Sequence, residues 1–157
     1  EAELLGTEGK SGIEEILNFT CIALAHEMVG GAQKMLDSAV EYTKLRVQFG
    51  RTISSFQAIK HLLADLLLEV ELAKSACYYA AYSSAQNQNT SELASHAKAQ
   101  ASEAFVNAAT QCIQLHGGVG FTWENDTHLW FKRAKSSEVF LGAPHEHRER
   151  MLQAAGV

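Results

Sequence analysis

The segment Arg46-Val47-Gln48-Phe49-Gly50-Arg51-Thr52-Ile53-Ser54-Ser55-Phe56-Gln57 concentrates groups that could hold an anion. An arginine near a helix end, followed by an aromatic and a glycine, presents a guanidinium fork beside exposed backbone. That arrangement suits bidentate contact with phosphate. A plainer reading is also open: Arg46 offsets the negative end of its own helix, and Gln57 completes a capping box begun at Ser54. Three other groups suggest chemistry but lack the context for it. His26-Glu27 opens like the zinc-protease motif HExxH, yet Gly30 stands where the second histidine belongs. His145-Glu146-His147 has no companion cysteine or histidine cluster and reads as a solvated helix start, so no metal is expected. Gly117-Gly118-Val119-Gly120 follows a helical pattern rather than a strand, which removes the dinucleotide-loop reading.

The elements that must position these residues are helical. Apolar residues recur in steps of three and four from Ile13 to Leu45, predicting a helix over about 13–46. At 1.5 Å per residue it would be roughly 50 Å long and needs support along its length. Gly30-Gly31 in its middle points to close approach of another helix or a ligand. A second helix is predicted from the Ser54 capping box to about Ser84. Its stretch Leu62–Leu68 is apolar around most of the circumference, which predicts burial on several sides. Thr90 or Ser91 can cap a third, alanine-rich helix that Gly117-Gly118 ends after His116. A shorter helix follows over Thr127 to about Phe140, and Pro144 suits the first turn of a last one to Ala154. The fold predicted is all-α, an up-down four-helix bundle over 11–157. Glu1 to Lys10 reads as a linker from a preceding domain.

Of 157 residues, 46% are apolar, enough for one sizeable core, and the formal net charge is −5. That balance speaks against nucleic acid or an anionic membrane as partner. Cys21, Cys77 and Cys112 lie far apart in apolar helical patterns, as reduced core thiols of a cytoplasmic protein would.

Two of these segments carry a family resemblance. Arg46, Phe49, Gly50, Ile53 and Gln57 match the acyl-CoA dehydrogenase pattern R-x-x-F-G-x-x-I-x-x-x-Q. Gln114-Leu115-His116-Gly117-Gly118-Val119-Gly120-Phe121 resembles the family's Q-x-x-G-G-x-G-F, with Glu124 fitting its continuation. Lys132-Arg133-Ala134-Lys135 is similar to the basic segment before the family's active-site loop. The matches fall in family order and cover essentially the whole chain. The resemblance implies the C-terminal bundle of a flavoprotein oxidoreductase that tetramerises through such bundles. FAD would lie between subunits: Arg46 on its pyrophosphate, Gln48 and Phe49 beside it, Gln57 towards the adenosine, and Gln114, Gly117 and Gly118 in close contact. The implied reaction is α,β-dehydrogenation of acyl-CoA in lipid metabolism, with electrons passing to an electron-transferring flavoprotein.

The resemblance also exposes departures. The family's base is a glutamate either in a loop matching Phe140-Leu141-Gly142-Ala143 or on the first long helix. Those positions hold Leu141 and Thr20. Ala143 lacks a hydroxyl that helps hold FAD in the family, and His145 replaces a glutamine. Glu27, two turns beyond Thr20 on roughly the same face, is the substitute acid on offer; its plain reading is an ion pair or solvent. Three functions follow: a dehydrogenase module with an unusual base, a non-catalytic partner subunit completing a FAD site in a mixed oligomer, or a helical interaction module. Phe121-Thr122-Trp123-Glu124 resembles actinobacterial members, among which mixed tetramers occur. The domain by itself is expected to be inactive.

Overall fold

The computed structural model describes residues 12–88, 90–154 and 156; the linker expected over 1–10 lies outside them. Among the described residues five α-helices run in order: α1 (Gly12–Leu45), α2 (Gln57–Ala85), α3 (Thr90–His116), α4 (Thr127–Val139) and α5 (Pro144–Ala154). A two-residue-a-side hairpin, β1 (Val47–Gln48) and β2 (Arg51–Thr52), and a 3₁₀ turn over Ile53–Ser55 join α1 to α2. The architecture is the all-α bundle predicted, and its helix limits agree with the periodicity to within a few residues.

The bundle is organised around α3, which packs against all four other helices. Alanine makes this geometry accessible: Ala94, Ala97, Ala101, Ala104 and Ala108 are buried at helical spacing, and their small side chains let neighbours approach from several directions. Phe105 is the large exception and fills the notch at Gly31. A Cβ built on Gly31 would stand 2.4 Å from the Phe105 ring, so the expected close approach of a second helix occurs there. At Gly30 the same atom would meet open space. Cys21, Cys77 and Cys112 are free and buried, and burial pushes the thiols of Cys77 and Cys112 up to about 12 and 11.

Four local expectations need correction. The capping box at Ser54 does not form. Ser54 and Ser55 belong to the 3₁₀ turn, where Ser55 Oγ donates to the Thr52 carbonyl at 2.7 Å. Phe56 is the N-cap of α2 without a side-chain cap, so Gln57 is the first helical residue rather than the third. Thr90 and Ser91 are both already helical, so neither caps α3 from outside it as expected. The Leu62–Leu68 stretch is buried at Leu66, while Leu67 and Leu68 face outwards. α2 meets its bundle along one face and leaves Leu67, Leu68, Leu72, Tyr78, Tyr79 and Tyr82 exposed. The reading of 145–147 as solvated holds for His145 and Glu146 and fails at His147, which has no exposed surface.

Candidate functional site: a pocket between two helix ends

α1 and α3 finish side by side, and a pocket of about 560 Å³ opens between the segments that follow them. Tyr42, Arg46, Gln48 and Ile53 line it from the α1 side. Leu115, His116, Gly117, Gly118, Val119 and Thr122 line it from the α3 side. The two ends are tied together at Tyr42, whose ring stacks on His116 with centroids 4.0 Å apart and planes 22° off parallel. The Tyr42 hydroxyl also reaches the His116 carbonyl at 3.5 Å.

Each rim has a local cause. After α1, Phe49 and Gly50 both take positive φ (53° and 76°), the pattern of a type I′ hairpin turn. A left-handed phenylalanine is a genuine backbone outlier. It stands 91% exposed at the hairpin tip, edge-on to Phe56, and the Arg51 guanidinium lies 4.0 Å above the Phe56 ring. After α3, Gly117 takes φ 64°, which ends the helix as a left-handed C-terminal residue does. The chain continues as a 3₁₀ turn, Gly117–Phe121, pinned where Thr127 Oγ1 donates to the Gly120 carbonyl at 2.8 Å.

Of the predicted contact residues, Arg46, Gln48, Gly117 and Gly118 meet in this pocket. Phe49 projects from the hairpin, and Gln57 and Gln114 are exposed on helix surfaces outside the lining. The Arg46 side chain makes no hydrogen bond or ion pair among the described residues, so its guanidinium does not cap α1. Gly118 is informative because its φ is ordinary and a Cβ there would meet nothing within 4 Å. Neither backbone conformation nor internal packing requires glycine; what its absent side chain leaves open is the pocket. Tyr42 and His116 were missed from sequence, although Tyr42 stands one turn before Arg46 on the same face and His116 directly precedes Gly117.

The second region of interest is the α4–α5 corner. Leu141 takes φ 63° and Gly142 φ 110°, and Leu141 packs half-buried against the core. Lys98, fully buried on α3, donates to the carbonyls of Glu138 at 2.7 Å and Gly142 at 2.8 Å. These charge-assisted bonds close the end of α4 and hold the corner from inside. Burial pushes the Lys98 ammonium pKa down, opposed by Cys21, Glu138 and Glu146. His147 lies beneath Gly142, where a Cβ would come within 3.2 Å of Nε2. Burial pushes His147 down to about 4, helped by the charges of Lys98 and Arg150. The Leu141 carbonyl favours the protonated ring but completes no hydrogen bond of ordinary geometry, so both ring nitrogens stay unpaired. Glu146 Oε2 accepts from the Ala143 amide at 2.6 Å, and that bond lowers its pKa.

Thr20 Oγ1 donates to the Ile16 carbonyl at 2.7 Å. Its neighbour Cys21 is buried, which raises the thiol pKa against the lowering charges of Arg150 and Lys98. Glu27 is exposed and receives the Arg133 guanidinium, with Nε 2.9 Å from Oε1. It thus has the ion-paired surroundings of its plain reading.

Residues 7–156 match the family model described as the acyl-CoA dehydrogenase C-terminal domain. The chain belongs to the acyl-CoA dehydrogenase family. The relative named acyl-CoA dehydrogenase IpdE2, from Mycobacterium tuberculosis, is 45% identical over 136 residues, 87% of this chain and 41% of the relative. A solved FAD-dependent dehydrogenase superposes with TM-score 0.86 at 31% identity, covering 90% of this chain and 38% of the other. A chain of the ChsE4–ChsE5 complex of Mycobacterium tuberculosis superposes with TM-score 0.85 at 27% identity, covering 89% and 38%. This acyl-CoA dehydrogenase domain therefore spans about two fifths of the length of these proteins.

Proposed function

We propose that this domain completes the FAD site and the subunit contacts of an acyl-CoA dehydrogenase that carries out α,β-dehydrogenation of acyl-CoA thioesters. The observation that carries the reading is the convergence of Arg46 and Gln48 with Gly117 and Gly118 on one pocket. An exposed, uncommitted arginine fits a pyrophosphate, and the open space at Gly118 fits a ligand lying against the backbone. Gln57, Gln114 and Phe49, outside this lining, would meet more distant parts of the cofactor. FAD, when bound, supplies the two-electron acceptor for the reaction. Arg46 would hold the cofactor by charge, and the glycine turn would seat it closely. The exposed leucines and tyrosines of α2 would pack against another subunit, since so extended an apolar face is unusual for a lone chain. Electron-transferring flavoprotein would be the onward acceptor, and the setting cytoplasmic.

A second reading is favoured by the α4–α5 corner: the subunit lacks its own base and serves a catalytic partner in a mixed assembly. Leu141 and Thr20 offer no carboxylate, and Glu27 is engaged by Arg133. That a chain of this fold occurs in the ChsE4–ChsE5 complex supports assembly with an unlike subunit.

Two experiments on the full-length protein test the shared site and then separate the readings. Arg46→Ala should weaken FAD by roughly tenfold or more, since a charge-assisted phosphate contact is worth about 1.5–3 kcal/mol. Undiminished flavin content would refute the site. Leu141→Glu should raise acyl-CoA dehydrogenation by the homomer, towards the ~10²–10⁴-fold of a general base. Brisk turnover by the unmodified homomer, abolished by Glu27→Gln, would instead make Glu27 the base and sink the partner-subunit reading. The isolated domain should show no turnover in either case.

A further inference from the structure

Two adjacent glycines stand in the middle of α1, and packing accounts for one of them. Gly31 admits the Phe105 ring, whereas a Cβ on Gly30 would meet nothing within 4 Å. Glycine weakens a helix interior relative to alanine, and no contact among the described residues offsets that loss at Gly30. Gly30 lines a groove of about 260 Å³ between α1 and α2, together with His26 and Gln33 from α1 and Lys74 and Tyr78 from α2. His26, Gly30, Gln33 and, one turn further, Asp37 share one face of α1.

The uncommitted polar groups of this groove are acceptors. Gln33 Nε2 donates to Asp37 Oδ1 at 2.8 Å, which fixes the orientation of the amide and leaves Oε1 buried without a partner. His26 Nδ1 lies 2.8 Å from the Ile22 carbonyl and so donates; in the neutral ring Nε2 is then an acceptor, and it makes no hydrogen bond among the described residues. Among the lining residues Lys74 alone is a lysine or arginine, and Glu71 takes it at 2.5 Å. Asp37 makes no ion pair among the described residues, so the charge engaged with the lining is negative on balance. Tyr78 meets the His26 ring at a steep angle with centroids 5.9 Å apart. It also belongs to the exposed apolar face of α2 with Leu72 and Tyr82, so a chain that covers this face passes over the groove.

We propose that the groove is a socket for an arginine side chain of the adjoining subunit. A guanidinium carries five N–H donors in a planar fork, enough for Gln33 Oε1 and His26 Nε2 together, and its face stacks on tyrosine. It is also more weakly hydrated than an ammonium, which suits a partly apolar groove. The last torsion of a glutamine side chain is soft and lets the amide oxygen turn towards the occupant. Gly30 keeps the room that the side chain needs. The proposal rests on the reading of α2 as a subunit contact and adds to it the polar contact that sets the register of the packing.

The test follows assembly of the full-length protein by sedimentation over a dilution series, with far-ultraviolet circular dichroism recorded for each variant. Gly30→Leu fills the groove and should raise the concentration of half-dissociation at least roughly tenfold, the loss of a charge-assisted contact. Gln33→Leu removes one acceptor and should raise it by a similar factor of about ten. Gln33→Glu reads the charge of the occupant. Beside a guanidinium it should lower that concentration about threefold or more, and the gain should shrink in high salt. Assembly unchanged by Gly30→Leu overturns the proposal, since nothing then enters the groove. Weaker assembly in Gln33→Glu at undisturbed helix content overturns it too, because the occupant then carries no positive charge. Leu72→Glu, on the α2 face outside the groove, separates the two levels. If neither it nor Gly30→Leu changes assembly, the reading of α2 as a subunit contact has failed; if it alone weakens assembly, that contact stands and the socket is refuted.

Discussion

The pocket at the ends of α1 and α3 and the corner between α4 and α5 are built on opposite principles. In the pocket, polar groups are left uncommitted: an arginine without a partner, a histidine nitrogen without a donor, a glycine without a packing reason. At the corner, polar groups are shut in. Lys98 spends its ammonium on two backbone carbonyls, His147 is buried neutral, and Leu141 turns an apolar side chain towards the core. Free groups are what a binding site needs, and committed ones are what a scaffold needs. Within one family pattern, the pocket proposed to face the cofactor keeps its signature residues, while the corner matching the family's base loop is structural.

Substitutions of Lys98 and His147 should therefore act on stability. Lys98→Met keeps the apolar stem and removes the donor to two interior carbonyls. Unfolding in denaturant should show a loss of about 2–4 kcal/mol, the cost of stranding those acceptors less the desolvation of the ammonium. A neutral result would mean that the carbonyls find other donors and that Lys98 does not hold the corner.

Acid should find the same corner through His147. Above pH 6.5 the ring is neutral in the folded and the unfolded chain, so it adds no pH dependence. Between 6.5 and about 4 the unfolded chain takes up a proton that the folded chain refuses, and stability falls as the pH falls. The full window is worth on the order of 3 kcal/mol. His147→Leu should remove this part of the slope, measured as the difference between parent and variant from pH 7 to pH 4. Parallel stability curves would show that His147 is protonated in place.

The adjacent glycines of α1 give a smaller contrast within one helix turn. Gly31→Ala drives a methyl into the buried Phe105 ring and should cost about 1–3 kcal/mol. Gly30→Ala meets open space and should stabilise by up to about 1 kcal/mol through helix propensity. Thermal unfolding of both variants reads the sign directly, and equal effects would contradict the close approach of α3 at Gly31.

The sequence made the helices legible because their punctuation is strong: Gly117 closes α3, Pro144 opens α5, and apolar spacing carries α1 across its whole length. The hairpin was not legible, since two-residue strands have no period and phenylalanine is a poor marker of positive φ. The Ser54 capping box misled because the hydroxyls it needs are used by the 3₁₀ turn. Lys98 and His147 look like surface residues in one dimension; only packing by four helices around α3 turns them inward. Half of the pocket was recoverable from the signature residues. Tyr42 and His116 needed the third dimension, because what qualifies them is contact between two helix ends distant in sequence.

The central claim, that the gap at Gly118 is reserved for a cofactor rather than for the fold, has a direct measurement. Gly118→Leu should leave the unfolding temperature of the full-length apoprotein nearly unchanged, because apart from its chain neighbours no atom of the described residues stands within 4 Å of the new Cβ. The same variant should bind FAD at least roughly tenfold more weakly, the steric loss being comparable to a charge-assisted contact. An intact apoprotein with undiminished FAD affinity would contradict the account.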